Sequence, residues 1–287
     1  MSAATLSREV NLADLTTLRV GGPAELWSVS SADELRRATE APYRVIGAGS
    51  NLLVADAGVA ERVVKLSGAY NSLKLGSADP YAAREALWLG AATPLPGLVR
   101  RSADAGLSGL EGLLGVPAVL GGAVAMNAGT RYGDMSDTLQ EVEVFVNGGL
   151  ERLDADDLRL SYRHSELPAG AIITRVRLRL TASTPERVQA RLAKVDAARQ
   201  GQPKIKSAGC AFKNPLGDSA GRLIDAAGLK GLRVGGAAVS REHGNFIVNM
   251  GGASAADVMA LMDLIRQRLT VPLSTEWQLW GFEGEGL

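Results

Sequence analysis

Apolar and polar residues alternate along short segments in the first third of the chain. The segments "AELWSVS", "YRVIGAG" and "RVVKLSG" follow the two-residue period of β-strands, with turns and one short helix between them. The later segments "EVEVFV" and "AIITRVRLRLT" follow the same period. In the last of them Arg175, Arg177 and Arg179 share one face, which predicts a solvated face over a core face. The pattern predicts an α+β fold in which strands and helices are mixed.

Helical spacing of apolar residues interrupts these strands. Residues 94–106 place leucines and a valine on one face and end at a glycine, which predicts a helix. The segment "STPERVQARLAKVDAARQ" predicts a long helix with Thr184 as its N-cap and Pro185 in its first turn. Another helix is predicted to end near Gly228. An amphipathic helix is predicted after Ser254, with an apolar face formed by Val258, Leu261, Met262, Ile265 and Leu269.

The character of the sequence changes near residue 182, where strand-like segments give way to the long helix. We therefore predict two domains, residues 1–181 and 182–287. A length of 287 residues agrees with this division, because it exceeds the usual size of a single domain. The tail "LSTEWQLWG" predicts a final strand that buries its tryptophans.

Charge and cysteine usage narrow the classes of function. The 31 basic residues balance 31 acidic ones, so no overall field attracts nucleic acid or an anionic membrane. One cysteine and two histidines exclude an intramolecular disulfide and predict that no metal is bound. The first residues lack the apolar run of a signal peptide, and the longest apolar stretch, "GVPAVLGGAVAM", is too short for a membrane helix. These features predict a cytoplasmic protein with no obligatory protein partner.

Glycines concentrate in clusters, where the main chain has no side chains to keep a ligand at a distance. The first, "VIGAGSNLL" at 45–53, leads a strand into Gly47 and Gly49, where backbone amides can approach a phosphate. Leu52 replaces the third glycine of a dinucleotide-binding loop, so a Rossmann fold is not favoured. The second, "GLLGVPAVLGGAVAMNAG" at 112–129, suits packing against a ring system, although a buried packing segment explains it equally well when taken alone. Together the two clusters predict one long cofactor.

Separated motifs run in the order of one known family over nearly the whole chain. They are "TTLRVGGPAE" (16–25), "GAGSNLLVADAG" (47–58), "GVPAVLGGAVAMNAG" (115–129), "SYRHS" (161–165), "GCAFKNP" (209–215), "LIDAAGLKGLRVGGAAVSREHGNFIVN" (223–249) and the tail around Glu276. On these motifs the chain resembles the UDP-N-acetylenolpyruvoylglucosamine reductase (MurB) family of flavoproteins.

The resemblance implies a domain plan and a reaction. The plan is an FAD-binding domain of the PCMH type at 1–181, with α/β subdomains at about 1–67 and 68–181, followed by an α/β substrate-binding domain at 182–287. The last strand, about 272–287, is expected to return to the active site. The implied reaction reduces an enolpyruvyl nucleotide sugar to UDP-N-acetylmuramate for peptidoglycan synthesis, with non-covalent FAD as cofactor and NADPH as hydride donor.

FAD contacts are assigned by the same resemblance to residues of both glycine clusters. They are Gly47, Ala48, Gly49, Ser50, Asn51, Leu52, Gly115, Val116, Pro117, Gly121, Gly122, Ala123, Asn127 and Gly129.

The resemblance also implies three catalytic residues. Arg163 of "SYRHS" is expected to hold the substrate carboxylate, where a guanidinium stabilises the developing charge. Cys210, the only cysteine, stands where the family usually has serine and is expected to donate a proton, which a thiol releases more readily than an alcohol. Glu276 is expected to assist protonation, although Thr275 and Gln278 depart from the residues that commonly flank this glutamate.

Substrate contacts are assigned in the same way to Tyr162, Lys213, Asn214 and His243. For His243 a purely structural role is an equally good interpretation.

Two other functions of the whole protein stay open at this point. One is an FAD-dependent oxidase of the same cofactor fold, which typically tethers its flavin to histidine or cysteine. The other is a non-catalytic nucleotide-binding module, which would not need the three catalytic residues together.

Overall fold

The chain folds into two compact units that interleave along the sequence. The computed structural model describes residues 6–73, 87–198, 203 and 206–282. The first unit comprises Met1–Leu6, Trp27–Gly47 and Val63–Gln200, and the second comprises Ser7–Leu26, Ala48–Arg62 and Gly201–Leu287. The predicted domains, 1–181 and 182–287, are instead contiguous, and those boundaries stay a prediction.

Short strands are the most numerous regular elements in the described residues. They are β1 (Ser7–Asn11), β2 (Pro23–Val29), β3 (Tyr43–Val45), β4 (Leu52–Val54), β5 (Arg62–Leu66), β6 (Leu87–Gly90), β7 (Leu107–Ser108), β8 (Gly129–Thr130), β9 (Gly133–Asp134), β10 (Leu139–Val146), β11 (Gly149–Asp154), β12 (Ile172–Leu178), β13 (Thr181–Ala182), β14 (Ser207–Cys210), β15 (Arg233–Val234), β16 (Ala237–Val239), β17 (Phe246–Asn249) and β18 (Gln278–Trp280).

Helices accompany these strands, and the predicted caps define two of them. The helices are α1 (Ala32–Ala38), α2 (Leu95–Asp104), α3 (Leu120–Ala125), α4 (Pro185–Ala198), α5 (Ala220–Ala226) and α6 (Ala255–Arg268). The Thr184 hydroxyl accepts a hydrogen bond from the Arg187 amide at the start of α4, at 3.4 Å. Ser254 and Asp257 form a reciprocal capping box at the start of α6. The predicted helices at 94–106, after Thr184 and after Ser254 are confirmed, as is the α+β class.

The first unit is built around an antiparallel sheet with the strand order β11-β10-β12-β6. Arg175 of β12 is exposed while Val176 is fully buried, so the predicted solvated and core faces are confirmed. The sheet's core face packs with α2 and α3 in a cluster that includes Leu89, Leu98 and Val142. Segments of β2, β5 and β3 are neighbours, in that order, in another sheet of this unit.

The second unit contains an antiparallel sheet with the order β14-β17-β16-β15 and a parallel pair formed by β18 and β4. Apolar side chains of α6, including Leu261 and Ile265, form its core together with Leu18, Leu53 and Trp277. Of the predicted final strand, Gln278–Trp280 forms β18, whereas residues 273–277 are not part of a strand. Trp277 is buried and Trp280 is half-buried, while residues 283–287 of the predicted strand lie outside the described residues.

Within the described ranges, no helix combines the length and the apolar character that a membrane crossing requires.

Candidate active site

A cavity of about 350 Å³ lies in the first unit between the two glycine clusters. Gly47 of the first cluster and Gly121 and Gly122 of the second line it. A β-carbon added at Gly47 would lie 2.9 Å from Cγ2 of Val119, and one added at Gly121 would lie 2.9 Å from Cβ of Ala91. Larger residues at these two glycines would therefore push into the surrounding wall.

The lining of this cavity fits part of a flavin dinucleotide. Its volume falls in the usual range of ligand sites, roughly 300–1,000 Å³. The wall is mainly apolar, which suits a ring system, and polar groups come from Lys65, Ser67 and Asn71. None of the residues that line the cavity in the described chain is a histidine or cysteine, so the wall offers no side chain of the kind that tethers a flavin.

The rest of the first glycine cluster belongs to the second unit. Gly49 has a φ of 62°, which favours glycine, and its carbonyl accepts hydrogen bonds from the amide and hydroxyl of Thr17 at 3.0 and 3.3 Å. Ala48 and Ser50 are half-buried beside it, and the Leu52 side chain is buried. Hydrogen bonds with Thr17 therefore fix the bend at Gly49 that leads into β4.

The second cluster includes predicted cofactor residues outside the cavity lining. Gly115 has a φ of 77° and, like Pro117, is exposed, whereas the amide of Val116 donates to the carbonyl of Leu113 at 3.1 Å. Ala123 is fully buried in the hydrophobic core. The segment thus passes from exposed residues at 115–117 to core packing in α3, and this helix is the part of the segment that the sequence pattern did not predict.

The turn that carries Arg163 is hydrogen-bonded to the C-terminal part of the same glycine cluster. Arg163 has a φ of 55°, and its Nη2 donates to the carbonyl of Gly129 at 2.7 Å. The Ser165 hydroxyl donates to the carbonyl of Ala125 at 2.7 Å. Tyr162 is 52% exposed, and the guanidinium of Arg163 lies 5.1 Å from the centre of its ring. The backbone of the glycine cluster therefore orients the predicted catalytic arginine.

Asn127 links the glycine cluster to this turn through its side chain. It is 2% exposed; its Nδ2 donates to the carbonyl of Ser161 at 3.0 Å, and its Oδ1 accepts from the amide of Ser136 at 3.1 Å. Both ends of the amide are thus bonded within the protein. The predicted cofactor residue has a structural task that the sequence did not reveal.

Asn127→Asp is expected to lower the free energy of unfolding by about 1–3 kcal/mol, because a carboxylate keeps the acceptor for Ser136 but cannot donate to Ser161. Urea unfolding measures the change. Asn147→Asp is the matched control: both asparagines have a positive φ, 37° at Asn127 and 51° at Asn147, but Asn147 is exposed. Equal losses in the two variants would contradict the role of the buried amide.

Cys210 lies half-buried at the end of β14, beside a residue that the sequence reasoning missed. Asn245 is 3% exposed and bonds the backbone of Phe212 twice: its Oδ1 accepts from the amide at 3.0 Å and its Nδ2 donates to the carbonyl at 2.7 Å. The carbonyl of Asn245 also accepts from the amide of Ala211 at 2.9 Å. Three hydrogen bonds therefore fix the two residues after Cys210.

Glu276 lies next to this segment within the second unit. Its amide donates to the carbonyl of Ala211 at 2.9 Å, and the amide of Lys213 donates to the carbonyl of Ser274 at 2.9 Å. The chain that carries Glu276 thus pairs with the chain that follows Cys210. Asn51 of the first glycine cluster joins the same region, since its Nδ2 donates to the carbonyl of Glu276 at 3.3 Å.

The remaining predicted substrate residues also lie in the second unit. Lys213 is half-buried and Asn214 is exposed, with its Oδ1 accepting from the amide of Ala220 at 3.1 Å. The Nδ1 of His243 accepts from the amide of Asn245 at 3.2 Å, which assigns the proton of the neutral ring to Nε2. Burial lowers the pKa of His243, and nearby Lys230 lowers it further, so the neutral ring is favoured at pH 7.

Acidic, histidine and cysteine side chains form no group of three that could hold a metal ion in the ranges described above.

Two family descriptions match this chain. The one described as "FAD binding domain" matches residues 23–153, and the one described as "UDP-N-acetylenolpyruvoylglucosamine reductase, C-terminal domain" matches residues 202–279. The first match includes the cavity and Asn127, and the second includes Cys210, Asn245 and Glu276.

Relatives named UDP-N-acetylenolpyruvoylglucosamine reductase match nearly the full chain. The protein from Thermus thermophilus is 58% identical over 271 residues, which cover 94% of this chain and 98% of the relative. The protein from Deinococcus radiodurans is 52% identical over 275 residues, which cover 94% of each chain. The crystal structure of the reductase (MurB) from Thermus caldophilus superposes with a TM-score of 0.90 at 56% identity, covering 96% of this chain and 98% of that one. Because the likeness extends over both matched regions and the whole fold, the chain belongs to the UDP-N-acetylenolpyruvoylglucosamine reductase family.

Proposed function

We propose that this protein reduces UDP-N-acetylenolpyruvoylglucosamine to UDP-N-acetylmuramate in peptidoglycan precursor synthesis, as an FAD-containing, NADPH-dependent oxidoreductase. The observation that carries the proposal is the 58% identity over 94% of the chain to a relative that bears the reductase name. The glycine-lined cavity of the first unit supports it, because its walls suit a flavin dinucleotide.

Bound FAD would supply the hydride-transfer chemistry that links NADPH to the carbon–carbon double bond of the enolpyruvyl ether. The bare backbone at Gly47, Gly121 and Gly122 would let the cofactor approach closely, and Lys65 would offer a positive charge to a phosphate. Gly49 and Ser50, which form the bend before β4, would also contact the cofactor. These residues bind and orient; the redox chemistry belongs to the cofactor.

Arg163 would bind the carboxylate of the enolpyruvyl group. Negative charge moves onto that carboxylate when a hydride adds to the adjacent double bond, so a fixed guanidinium stabilises the transition state more than the substrate. The hydrogen bond from Arg163 to Gly129 supports this role, because it orients the side chain before substrate binds. Tyr162, exposed beside it, would contact the substrate.

Cys210 would deliver the proton that completes the reduction. The thiol hydrogen would pass to the carbon next to the carboxylate, which forms a carbon–hydrogen bond and leaves a thiolate to be reprotonated from solvent. Glu276 would assist this transfer, since a carboxyl group beside the donor can orient it or return its proton. The support is the backbone pairing between the Glu276 chain and the residues after Cys210.

Lys213, Asn214 and His243 would hold the nucleotide sugar. The Nε2–H of neutral His243 can donate to a phosphate oxygen, and Lys213 supplies a positive charge. A cytoplasmic location is part of the same proposal, because a thiol that must stay reduced suits a reducing compartment.

The purified protein is expected to be yellow and to release intact FAD on denaturation. Under anaerobic conditions NADPH should bleach the flavin, and the enolpyruvyl nucleotide should restore its colour with formation of UDP-N-acetylmuramate. A colourless protein that takes up no FAD would overturn the proposal. Reoxidation by oxygen but not by the enolpyruvyl nucleotide would favour an oxidase instead.

A further inference from the structure

Arg266 makes an unusual set of contacts in the last turn of α6. Its side chain is 31% exposed, and Nη1 lies 2.8 Å from Oδ1 of Asp263 on the same helix. The other two guanidinium nitrogens reach outside the helix: Nε donates to the carbonyl of Leu273 at 3.3 Å, and Nη2 donates to the hydroxyl of Thr275 at 2.5 Å. The guanidinium carbon also lies 5.4 Å from the centre of the Phe212 ring.

These contacts reach both chain segments that carry the proposed proton-transfer groups. Thr275 directly precedes Glu276, and Phe212 lies two residues after Cys210. The two segments also pair through an isolated β-bridge between Phe212 and Thr275. Arg266 therefore contacts both members of the bridge: it donates a hydrogen bond to Thr275, and its guanidinium lies over the ring of Phe212.

The chemistry of arginine suits this position. A guanidinium is planar, so one face can lie against an aromatic ring while its edge donates several hydrogen bonds in fixed directions. Arg266 holds the main chain at Leu273 and the side chain of Thr275, and together these two bonds restrain the segment that leads into Glu276. The ion pair with Asp263 is partly exposed, so its contribution to stability is small.

We propose that Arg266 is a positioning residue for proton transfer: it holds the segment of Glu276 against the segment of Cys210 without touching the substrate. This inference rests on the proposed function. Because a displacement of about 1 Å can cost roughly 10²-fold in rate, loss of Arg266 is expected to slow the reaction with the enolpyruvyl substrate by about 10- to 100-fold. Reduction of the flavin by NADPH should stay within about twofold of the wild-type rate.

The test uses Arg266→Met, which keeps an unbranched apolar stem but removes the guanidinium, and Thr275→Val, which keeps the shape of threonine but removes its hydroxyl. Arg268→Met is the matched control, since Arg268 lies on the same helix and is exposed. Stopped-flow absorbance follows each half-reaction of the FAD-loaded proteins. Amide hydrogen exchange at Glu276 and Lys213, whose amides pair the two segments, reports on the backbone independently of activity.

In Arg266→Met the hydrogens of these two amides are expected to exchange at least about tenfold faster than in wild type. In Arg268→Met their exchange rates should equal those of wild type. The double variant Arg266→Met/Thr275→Val should be no slower with substrate than the slower single variant, because both changes break the same contact. Multiplying effects in the double variant would overturn the proposal. If Arg266→Met does not fold, Thr275→Val alone decides: wild-type exchange and wild-type reoxidation in that variant would also overturn it.

The wild-type protein separates this inference from the proposed function. A wild type that the enolpyruvyl nucleotide does not reoxidise would overturn the proposed function. A wild type that is reoxidised, together with an Arg266→Met variant of equal rate and equal exchange, would overturn only the positioning role of Arg266.

Discussion

Glu276→Gln is expected to keep FAD bound and to be reduced by NADPH, and then to stall when the enolpyruvyl substrate is added. The amide cannot accept or return a proton as the carboxyl group does, and loss of one acid–base group typically costs roughly 10²- to 10⁴-fold in rate. The substitution preserves shape, so the hydrogen bond from the Glu276 amide to the carbonyl of Ala211 should survive. Flavin absorbance in a stopped-flow instrument follows both half-reactions.

Glu151→Gln is a suitable control for this variant, since it makes the same change at an exposed position on β11. It should behave as wild type in both half-reactions. If Glu276→Gln were reoxidised by substrate as fast as the control, the carboxyl group would have no part in the reaction.

Cys210→Ser is expected to retain substantial activity, whereas Cys210→Ala should slow reoxidation by substrate by roughly 10²- to 10⁴-fold. A hydroxyl can donate the same proton as a thiol, but a methyl group has no proton to give. Reduction by NADPH should be nearly equal in the two variants, because the proton is needed only after the hydride has reached the substrate. Rates of the two half-reactions, measured separately, give the comparison.

A packing role for Cys210 makes the opposite prediction. Alanine and serine are both smaller than cysteine, so a packing defect would affect stability and both half-reactions together. Equal losses in both half-reactions of Cys210→Ala would therefore assign the thiol to packing rather than to proton transfer.

Local signals predicted the regular elements well. Thr184 and Ser254 start α4 and α6 because their hydroxyls accept hydrogen bonds from helix amides, and such caps act within one turn. The two-residue period predicted β10 and β12 because one face of their sheet is buried. The shared cavity of Gly47 and Gly121 was also expected, since both clusters were assigned to one cofactor.

Residues that act over long separations were harder to predict. Asn245 holds the backbone of Phe212, which is 33 positions away, and Asn127 holds Ser161, which is 34 positions away. Neither asparagine differs in local sequence from one in a loop, so only the fold reveals which amide is buried and hydrogen-bonded through both its oxygen and its nitrogen. The interleaving of the two units has the same cause, because strand pairing is decided by partners that lie far apart in the chain.

The pairing of β4 with β18 has a consequence for biosynthesis. The Asn51 side chain and its partner at Glu276 are separated by 225 residues, and Leu52–Val54 lies against Gln278–Trp280. At a synthesis rate of roughly 5–20 residues per second, β4 is synthesised about 11–45 s before β18. During that time the apolar residues of β4, including Leu53, lack the partner strand against which they are buried in the folded unit. The second unit can therefore complete its β4–β18 pair only after translation has passed residue 280.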